Sequence, residues 1–500
     1  MAIRFFRYGQ EALYIDLDLQ DAPNRALRTH AVAHVLRDLF PDTEIIVGGG
    51  VLVVVGYVPE NDLVMTLREA TQHRIASFAH QTHVLPVVFD GPDLEDVAKA
   101  ARLGPTEIIE SLVTTDFVVE LIGFLPGFGY LGPLDPRLVV PRRAAPRPRV
   151  PAGSLAIAGG FAGVYPFVSP GGWHLLGRNL GPALFDPHRE KPFLLAPADH
   201  VRFRALASED VLPAEPMREI APKVVVNAPA FVVEIAPACA TIQDAGRQGR
   251  LHCGMPPSGP LDPDTFVRAN LAVGNEPGEA ALEIPLGRFV FRAKGTLTIS
   301  LDGEAPIRLS DGERFEIPEH VRAVRYLAFR GGIDVPSVLG SRATLLVAKA
   351  GGFFGRPLRK NDVVEIADRI GRDVAHSRET GPEPADNVDL VIDPGPHQDR
   401  FSSSALEMLL TSTYSISTLA DRVGVRLDGP KIPRVGGDSA LPVPMLRGAI
   451  QITTDGTPIV FGPDHPTTGG YPVLAVVRRT FWGSLARQRP GKTVRFVLGQ

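Results

Sequence analysis

The sequence predicts a mainly β protein that begins with a small α+β unit and continues through three β-rich units. Two observations lead to this fold class. Glycine and proline are unusually frequent, with 50 Gly and 47 Pro among 500 residues, which suits many short strands joined by tight turns and disfavours helical bundles. Apolar runs of strand length recur along the chain, whereas helical periodicity is confined to a few short segments.

Residues 1–83 are predicted to form the small α+β unit. Alternating apolar and polar residues predict a strand over Ala12–Leu19, and a helix follows that ends before Pro41. The glycine-interrupted apolar run Ile45–Val58 predicts a pair of strands, and Asp62–Phe78 returns to helical spacing. The predicted order is therefore βαββα, which resembles half or more of a ferredoxin-like sandwich.

Residues 84–207 are predicted to form the first β-rich unit, a barrel or sandwich in which Gly and Pro separate the strands. The predicted strands are Leu85–Phe89, Phe117–Ile122, Ser154–Ala158 and Phe193–Leu195, and the predicted helices are Asp93–Ala101 and Pro105–Ser111. Residues 208–229 carry four prolines and lose all periodicity, so this segment is predicted to be a linker.

Residues 230–380 and 381–500 are predicted to form two further β-rich units. The boundary between them lies in the polar, turn-rich segment His376–Asn387. The predicted strands are Ala230–Ile235, Arg288–Phe291, Thr296–Leu301, Arg322–Phe329, Leu345–Ala348 and Val494–Leu498, with helices at Pro263–Val273 and Ser403–Thr411.

Composition excludes several classes of protein. The chain has 52 basic and 56 acidic residues, a net charge of −4, so it lacks the basic excess expected of a nucleic-acid binder. The only cysteines, Cys239 and Cys253, exclude a disulfide scaffold and a CxxC metal site. The N-terminus lacks a signal-peptide pattern and no apolar run reaches membrane-spanning length, so we expect a cytoplasmic protein without a membrane partner.

Two segments resemble familiar phosphate-binding motifs in sequence, but their flanking segments do not have the secondary structure that each motif requires. Gly127–Gly132 matches GxGxxG, but Pro133 follows at once where a dinucleotide-binding fold needs a helix. Pro490–Thr493 ends like a phosphate-binding loop, but a helix precedes it and a strand follows, which is the reverse of the required order. No GxSxG or HExxH motif occurs, and no metal site is predicted.

An arginine-rich segment between Leu121 and Phe185 is more informative. It contains six arginines and a single acid, Asp135; the arginines are Arg137, Arg142, Arg143, Arg147, Arg149 and Arg178. Guanidinium groups bind carboxylates and phosphates in bidentate fashion, so the segment predicts an anion site, with a basic docking surface as the alternative. We expect Arg142, Arg147 and Arg178 to converge on one cleft edged by Tyr165 or His174, and Arg143 to point to solvent.

Long motifs in the N-terminal half resemble a known family. The segment GFLPGFGYLGPLDPRLVVPRRAAPRPRVPAGSLAIAGGFAGVYPFVSPGGWHLLGR, Gly123–Arg178, closely resembles the hallmark of the family that contains the B-type 5-oxoprolinase subunit. That family also includes proteins known as allophanate hydrolase subunit 1 and as the inhibitor of a sporulation kinase.

Motifs in the C-terminal half resemble a second family, that of the C-type 5-oxoprolinase subunit, also called allophanate hydrolase subunit 2 or the biotin-dependent carboxyltransferase-like family. These motifs are TIQDAGRQGR (Thr241–Arg250), GMPPSGPLD (Gly254–Asp262), ANLAVGN (Ala269–Asn275), GSRATLLVAKAGGFFGRPL (Gly340–Leu358), GPHQDRF (Gly395–Phe401), DRVGVRLDG (Asp421–Gly429), GAIQI (Gly448–Ile452) and PTTGGYP (Pro466–Pro472). The chain thus resembles a natural fusion of the B-type and C-type subunits, and the pair resembles the carboxyltransferase region of urea carboxylase.

The resemblance implies a fold and a function. It implies a small N-terminal α+β domain followed by three cyclophilin-like β-barrels, one in the B-like half and two in the C-like half. It also implies one component of an ATP-dependent 5-oxoprolinase, a hydrolase that opens the cyclic amide 5-oxoproline to glutamate together with a separate lactam-utilisation subunit. The implied cofactor is ATP with Mg, the implied substrate is small and anionic, and a homo-oligomer is compatible with this scheme.

Two alternative functions stay open. The first is an allophanate or urea-type amidohydrolase, or a biotin-dependent carboxyltransferase component. Because the chain has no biotin-acceptor Met-Lys dipeptide, biotin would have to come from a partner chain. The second is a non-catalytic inhibitor of a histidine kinase, which would need a docking patch and no turnover.

The resemblance also suggests site residues. The residues expected to orient water or move protons are His174, Tyr165, Gln243, Asp244 and Asp262. The residues expected to bind substrate or anion are Arg142, Arg147, Arg178, Gly127, Ser154, Arg247, Ser258, Arg342, Gln398, Thr468 and Tyr471.

The chain departs from the family pattern at several positions. Leu112 and Phe117 stand where relatives usually have His and Tyr, and GGWQ reads Gly171–His174 here. If the absent histidine is catalytic in relatives, its role here is lost or passes to His174.

Overall fold

The structure, a computed structural model, describes residues 3–19, 22, 24–56, 67, 80–207, 228–367, 387–435 and 441–499. The predicted helix Asp62–Phe78, the linker 208–229 and the boundary near residue 380 lie almost entirely outside the described residues, so these three predictions stay as they were made.

The N-terminal unit is a four-stranded antiparallel sheet with one described helix, Arg25–Leu39. The helix buries Val32, Ala33 and Leu36, while Leu39 at its end is exposed. The prediction missed the first strand, because its charged side chains conceal the alternation. The strands are β1 (Arg4–Tyr8), β2 (Ala12–Asp16), β3 (Glu44–Val47) and β4 (Val51–Val55), in the order β1-β2-β4-β3.

The next unit is a closed barrel of seven strands, which we call barrel 1. Its strands are β5 (Thr82–Val88), β6 (Phe117–Ile122), β7 (Gly129–Gly132), β9 (Ser154–Ala158), β10 (Phe161–Val164), β12 (His174–Asn179) and β13 (His200–Ala205). The helices Leu94–Ala101 and Pro105–Thr114 follow β5. A separate two-stranded ribbon joins β8 (Arg147–Val150) to β11 (Ser169–Gly171).

The middle unit differs from the barrel predicted for it. Its strands are β14 (Ala230–Ile235), β15 (Thr241–Gln243), β16 (Ala281–Pro285), β17 (Phe289–Lys294), β18 (Leu297–Leu301), β19 (Ile307–Leu309), β20 (Arg314–Ile317), β21 (Val324–Phe329) and β22 (Val363–Glu365). They form two sheets, β20-β17-β14-β22 and β15-β16-β21-β18-β19, which share one apolar core that includes Phe231, Phe291 and Phe329. The helix Pro263–Ala272 lies against β21 and the last helix of the chain.

The C-terminal unit is a second closed barrel of seven strands, which we call barrel 2. Its strands are β23 (Asn387–Pro394), β24 (Thr413–Ile416), β25 (Gly424–Asp428), β27 (Ala449–Ile452), β28 (Pro458–Phe461), β30 (Val473–Val477) and β31 (Thr493–Leu498). Two helices, Ala405–Thr411 and Trp482–Ala486, lie between its strands. A two-stranded ribbon pairs β26 (Val443–Pro444) with β29 (Thr468–Gly469).

The two barrels share one topology. When the seven strands of each barrel are numbered along the chain, both close in the order 1-6-4-5-3-2-7. In both, the first and last strands run parallel, as β5 with β13 and β23 with β31. The likeness extends to side chains. Asp93 accepts a hydrogen bond from the backbone N–H of Leu175, and at the same place in barrel 2 His397 accepts one from Val473.

Two predicted strands are absent. Phe193–Leu195 and Leu345–Ala348 each contribute only an isolated bridge, Phe185 with Phe193 and Leu345 with Ala350. Leu345 and Ala348 pack into a small cluster between turns, and Leu194 and Leu195 pack into the core of barrel 1. Apolar character without alternation therefore led to the wrong prediction. Among the described helices, none is long and apolar enough to span a membrane.

Candidate functional site

The hallmark segments of the two halves meet directly between barrel 1 and barrel 2. Thr468 lies against Gly123, where a β-carbon would overlap the threonine hydroxyl. Gly470 lies against Arg142, where a β-carbon would stand 2.8 Å from a guanidinium nitrogen. Glycine is required at Gly123, because the short Thr468 side chain leaves no room for a β-carbon there, whereas at Gly470 the flexible Arg142 side chain could move aside. We call this meeting point the inter-half site.

Tyr130 from β7 supplies a buried phenol to the inter-half site. Burial raises its pKa, while the charge of Arg142 and the side chain of Thr468 act in the opposite direction. The phenol ring is fixed by edge-on contacts with Phe161 and Trp173, each with ring centroids 5.6 Å apart. The hydroxyl therefore stays protonated near neutral pH and holds a defined orientation.

Arg142 is the cation of the inter-half site. Its side chain is exposed, and among the described residues it has no carboxylate within ion-pair distance. An arginine held beside buried hydroxyls and a glycine backbone can bind one carboxylate through two parallel hydrogen bonds.

A cavity of about 420 Å³ opens between the N-terminal sheet and barrel 2, and its lining includes Tyr14, Arg25, His397 and Arg400. Arg25 joins this cavity to the inter-half site. It is paired with Glu120 of barrel 1 at 2.5 Å, and its guanidinium lies 6.0 Å from the centroid of the Phe161 ring that packs on Tyr130. The cavity and the inter-half site are therefore neighbours.

The hydrogen-bond pattern of His397 determines what the cavity offers to a ligand. Its Nδ1 accepts from the Val473 backbone N–H at 3.1 Å, so in the neutral ring Nε2 carries the proton. Nε2 donates to the Tyr14 hydroxyl oxygen at 3.3 Å. Burial and the charge of Arg400 lower the pKa of His397 to about 4, so the ring is neutral at pH 7. The Tyr14 proton is therefore left as a donor to something else.

The predicted convergence of three arginines is wrong. Arg147 donates to Asp93 with both terminal nitrogens, at 2.8 and 2.7 Å, and Arg178 pairs separately with Asp90 at 2.5 Å. Only Arg142 of the three reaches the inter-half site.

Arg143 also differs from its prediction. Its guanidinium does not point to solvent but donates to Asp93 at 2.8 Å. The prediction counted acids only within the arginine-rich segment, whereas Asp90 and Asp93 come from the turn after β5, 50 or more positions before the arginines that they bind. Arg137 pairs with Asp135 inside the segment. Most of the predicted anion site is thus neutralised by the chain itself.

His174 and Tyr165 lie beside the inter-half site. The Nε2 of His174 is 2.9 Å from the carbonyl oxygen of Pro141, next to Arg142. Tyr165 is buried, and burial raises its pKa. It contacts the Phe128 ring edge-on at 5.4 Å, so it stiffens the wall of barrel 1, and a role in proton transfer stays a prediction.

Leu112 lies away from the site. It is buried in the apolar core of barrel 1 with Ile108 and Val97. The position where relatives usually have His is therefore a packing position in this chain, and no site group is missing on its account.

Three further catalytic candidates bind backbone and neighbouring side chains instead of facing the inter-half site. Gln243 is fully buried and donates to Thr241 and to the carbonyl of Thr344. Asp244 accepts from the side chain of Ser341 at 2.5 Å. Asp262 is fully buried and caps a helix. These contacts are structural, so the geometry does not support proton transfer by these residues.

The remaining binding candidates are spread over both halves of the chain. Thr468 lies in the inter-half site, and Tyr471 follows it with Arg434 over its ring at 5.6 Å. Gln398, beside the cavity residue His397, donates to the carbonyl oxygen of Leu474 at 2.6 Å. The other candidates lie elsewhere. Arg247 donates to the carbonyl oxygen of Val338, and Arg342 donates to that of Val335. Ser154 is buried in β9, the Gly127 N–H donates to the carbonyl of Cys253, and Ser258 lines a different cleft.

The prediction missed Tyr130, Gly470, Tyr14, Arg25 and His397. Tyr130, Gly470 and His397 lie inside the motifs that carry the family resemblance, so considering every polar residue and glycine of those motifs could have found them. Tyr14 and Arg25 come from the N-terminal unit, and nothing in their local sequence marks them. Among the described residues there is no group of three or more His, Cys, Asp or Glu arranged to hold a metal ion.

Comparison with known proteins assigns both halves of the chain to carboxyltransferase domains. Residues 3–195 match the model described as "Carboxyltransferase domain, subdomain C and D", and residues 253–498 match "Carboxyltransferase domain, subdomain A and B". The C-terminal half is 32% identical over 273 residues to the C-type 5-oxoprolinase subunit of Escherichia coli K12, covering 51% of this chain and 87% of that protein. The chain belongs to the carboxyltransferase-domain family.

Other relatives match parts of the chain. The N-terminal half is 40% identical over 154 residues to the B-type 5-oxoprolinase subunit of Bacillus subtilis, covering 29% of this chain and 64% of that protein. The urea amidolyase of Lachancea kluyveri is 31% identical over 310 residues, which is 54% of this chain but only 17% of that enzyme. The chain thus spans less than two thirds of either relative.

One solved structure matches along the whole chain. The crystal structure of TTHA0988 aligns with a TM-score of 0.83 and 31% identity over 99% of this chain and 100% of that one. The carboxyltransferase-domain architecture described here, with both halves in one polypeptide, is therefore shared by a second protein.

Proposed function

We propose that this carboxyltransferase-domain protein is the B-plus-C component of an ATP-dependent 5-oxoprolinase. In this proposal it opens 5-oxoproline to glutamate together with a separate lactam-utilisation subunit. The observation that carries the proposal is the inter-half site, where the hallmark segment of the B-like half meets that of the C-like half at Gly123 with Thr468 and at Arg142 with Gly470.

The inter-half site offers chemistry suited to a small cyclic amide that carries a carboxylate. Arg142 would hold the carboxylate through paired hydrogen bonds. Tyr130 and Thr468 provide hydroxyls that can hydrogen-bond the amide carbonyl as charge develops on its oxygen. The cavity beside them, with Tyr14 donating and Arg25 adjacent, would accommodate the opened product.

The three arginines expected at the anion site do not by themselves fit a triphosphate. Of the three arginines expected to bind phosphate, Arg147 and Arg178 are occupied by Asp93 and Asp90. One remaining guanidinium matches one carboxylate, whereas a nucleoside triphosphate needs several cations or a bound metal. We therefore assign ATP binding to the partner subunit and derive no step through ATP here.

The test measures glutamate released from 5-oxoproline and ATP, with and without a 5-oxoprolinase A-type subunit. We expect release only with both proteins present. Robust hydrolysis by the pure 500-residue chain would contradict the division of roles, and no hydrolysis by the mixture would contradict the substrate.

Substitution of Arg142 tests the assigned carboxylate contact. Arg142→Met should lower kcat/KM for the mixture by about 100-fold, because a charge-assisted bidentate contact is lost. The matched control is Arg202→Met, since Arg202 is an exposed arginine of β13 that pairs with Asp116. Equal losses in both variants would show that Arg142 has no special role.

The match to urea amidolyase favours a second candidate, carboxyl transfer to a urea-like substrate from biotin on another chain. The same Arg142 would then face the carboxylate carried on biotin. Consumption of free carboxybiotin in the presence of urea, but not of 5-oxoproline, would select this function over the first.

The finer domain scheme is part of the proposal. We propose boundaries at 83, 208–229 and 380, with cyclophilin-like barrels at 84–207 and 381–500. The shared strand order of the two barrels supports a common origin for them.

A further inference from the structure

A second cleft, of about 350 Å³, lies where the N-terminal sheet, the middle unit and barrel 2 meet. Its lining includes Tyr8, Ser258, Phe266, Arg447, His465 and Trp482. None of the inter-half residues Tyr130, Arg142 and Thr468 contributes to it. Just over half of the lining is proline, aromatic or aliphatic, and charged and polar side chains supply most of the rest, which is compatible with a small-molecule pocket.

Arg447 is the unusual residue of this cleft. Its guanidinium lies 4.1 Å from the centroid of the Trp482 ring, and one nitrogen donates to the carbonyl of Leu261 at 2.7 Å. Among the described residues it has no carboxylate within ion-pair distance. A guanidinium inside a protein is costly to leave without a counter-charge.

A nearby arginine shows what full pairing looks like. Arg422, also from barrel 2, bonds both Glu283 and Asp464. Those two carboxylates are thereby occupied, and Arg447 has only a carbonyl and an aromatic face. The two arginines therefore differ in their need for an external anion.

Ser258 provides a second polar group at the cleft. Its side chain is buried, and the Oγ atom has no hydrogen-bond partner among the described residues. Its backbone adopts a left-handed conformation, with φ of 57°, which is uncommon for a residue other than glycine. Strained non-glycine residues concentrate at ligand sites.

The charged groups of the cleft favour a singly charged ligand. The other arginines of the cleft are paired, Arg478 with Asp393 and Arg479 with Glu11. Burial lowers the pKa of His465 to about 4, so this ring adds no charge at pH 7. Burial also lowers the pKa of Arg447, to about 10, which leaves it charged. Glu44 also lines the cleft, and its carboxylate accepts from the backbone N–H groups of Gly249 and Leu251. A single guanidinium without an ion-pair partner matches one carboxylate better than a phosphate dianion.

We propose that this cleft is a binding site for a monocarboxylate with an apolar body, held by Arg447 and Ser258 and packed on Trp482. The site is separate from the inter-half site and does not depend on the proposed hydrolase activity.

The test uses benzoate as the probe, with benzamide as its uncharged analogue and inorganic phosphate as a dianion. Binding to the full chain is followed by calorimetry and by fluorescence, since Trp482 is one of only two tryptophans. We expect saturable benzoate binding that changes the fluorescence, with benzamide and phosphate each at least about tenfold weaker.

Variants separate charge from shape. Arg447→Met should weaken benzoate binding by about tenfold or more, Arg447→Lys should retain most of it, and Ser258→Ala should weaken it by a few-fold. The matched control is Arg495→Met. It removes an exposed arginine of the last strand that pairs with Asp389, and it should leave the affinity for benzoate unchanged. Ser258→Ala and the benzoate-to-benzamide ratio decide the question if Arg447→Met fails to fold. Two results would overturn the proposal: equal affinity of the wild type and Arg447→Met for benzoate, or no binding of benzoate to the wild-type protein.

Discussion

Asp93 and His397 occupy equivalent places in the two barrels, yet their roles differ. Both accept a hydrogen bond from the backbone of the sixth barrel strand, and both follow the first strand. Asp93 adds a charge that fixes Arg143 and Arg147. His397 is neutral and donates its proton toward Tyr14. One position in a repeated scaffold thus serves an ion pair in barrel 1 and a ligand cavity in barrel 2.

Substitution of Asp93 should destabilise the protein in a pH-dependent way. Burial raises the pKa of Asp93, but the hydrogen bonds from Arg147 and Leu175 and the two arginine charges outweigh burial, so the pKa is lowered. Because the folded pKa lies below the unfolded value, the stabilisation is present above about pH 4 and is lost as pH falls below it. Asp93→Asn should cost about 2 kcal/mol at pH 7, less than a fully buried pair because the arginines are partly exposed.

Urea unfolding of wild type and Asp93→Asn between pH 3 and pH 7 checks this prediction. The difference between the two proteins should shrink toward acid pH. A constant difference across that range would mean that packing, and not the carboxylate charge, accounts for the loss.

At the scale of elements, the buried arginine before β25 links barrel 2 to the middle unit. Arg422 donates to Asp464 at 2.8 Å, to the carbonyl of Gly259 at 2.8 Å and also to Glu283. Arg422→Met removes the cation that pairs with two buried carboxylates and should destabilise the protein by about 3–5 kcal/mol.

The matched control for Arg422 is Arg288→Met, which breaks an exposed pair with Glu316 and should destabilise the protein far less than Arg422→Met, because solvent screens an exposed ion pair. Denaturation midpoints of the two variants give the comparison. Similar midpoints would show that the Arg422 network adds nothing beyond a surface ion pair.

The elements also show what sequence can and cannot predict. Strands such as Phe117–Ile122 and Ala230–Ile235 match their predicted bounds to the residue, because each is a compact β-rich run bounded by turns. The strand prediction for the apolar segment near Leu345 is wrong. Its residues are apolar because they are buried in turns, and they form only an isolated bridge.

The site is harder to predict than the strands. Motifs identify Arg142 and Thr468, but the two residues belong to segments that meet across more than 300 positions of sequence. The partners of Arg147 and Arg178 escape prediction for the same reason, since the carboxylates of Asp93 and Asp90 come from another strand end. Local sequence shows which side chains are present, and the barrel closure decides which of them meet.

At the scale of the molecule, the two halves share a continuous interface. The Tyr8 hydroxyl donates to the carbonyl of Pro444 at 3.3 Å, Glu44 accepts from the Leu251 N–H at 3.1 Å, and the Gly127 N–H donates to Cys253 at 3.3 Å. These contacts do not depend on the segment 208–229 that connects the halves.

Limited trypsin digestion should therefore cut the chain without separating it. Residues 208–229 hold two trypsin sites, Arg218 and Lys223, among four prolines, and we expect the first cleavage there. The two fragments should co-elute on a sizing column in native buffer. Separate elution without denaturant would contradict the interface, and first cleavage inside either barrel would contradict the linker.

The parallel pairing of first and last strands gives each barrel a further property. Because β5 lies beside β13, and β23 beside β31, the chain enters and leaves each barrel on neighbouring strands. Because the two strands are parallel, the points of entry and exit lie at opposite ends of the barrel. Each barrel therefore holds the segments before and after it apart by about the length of a strand.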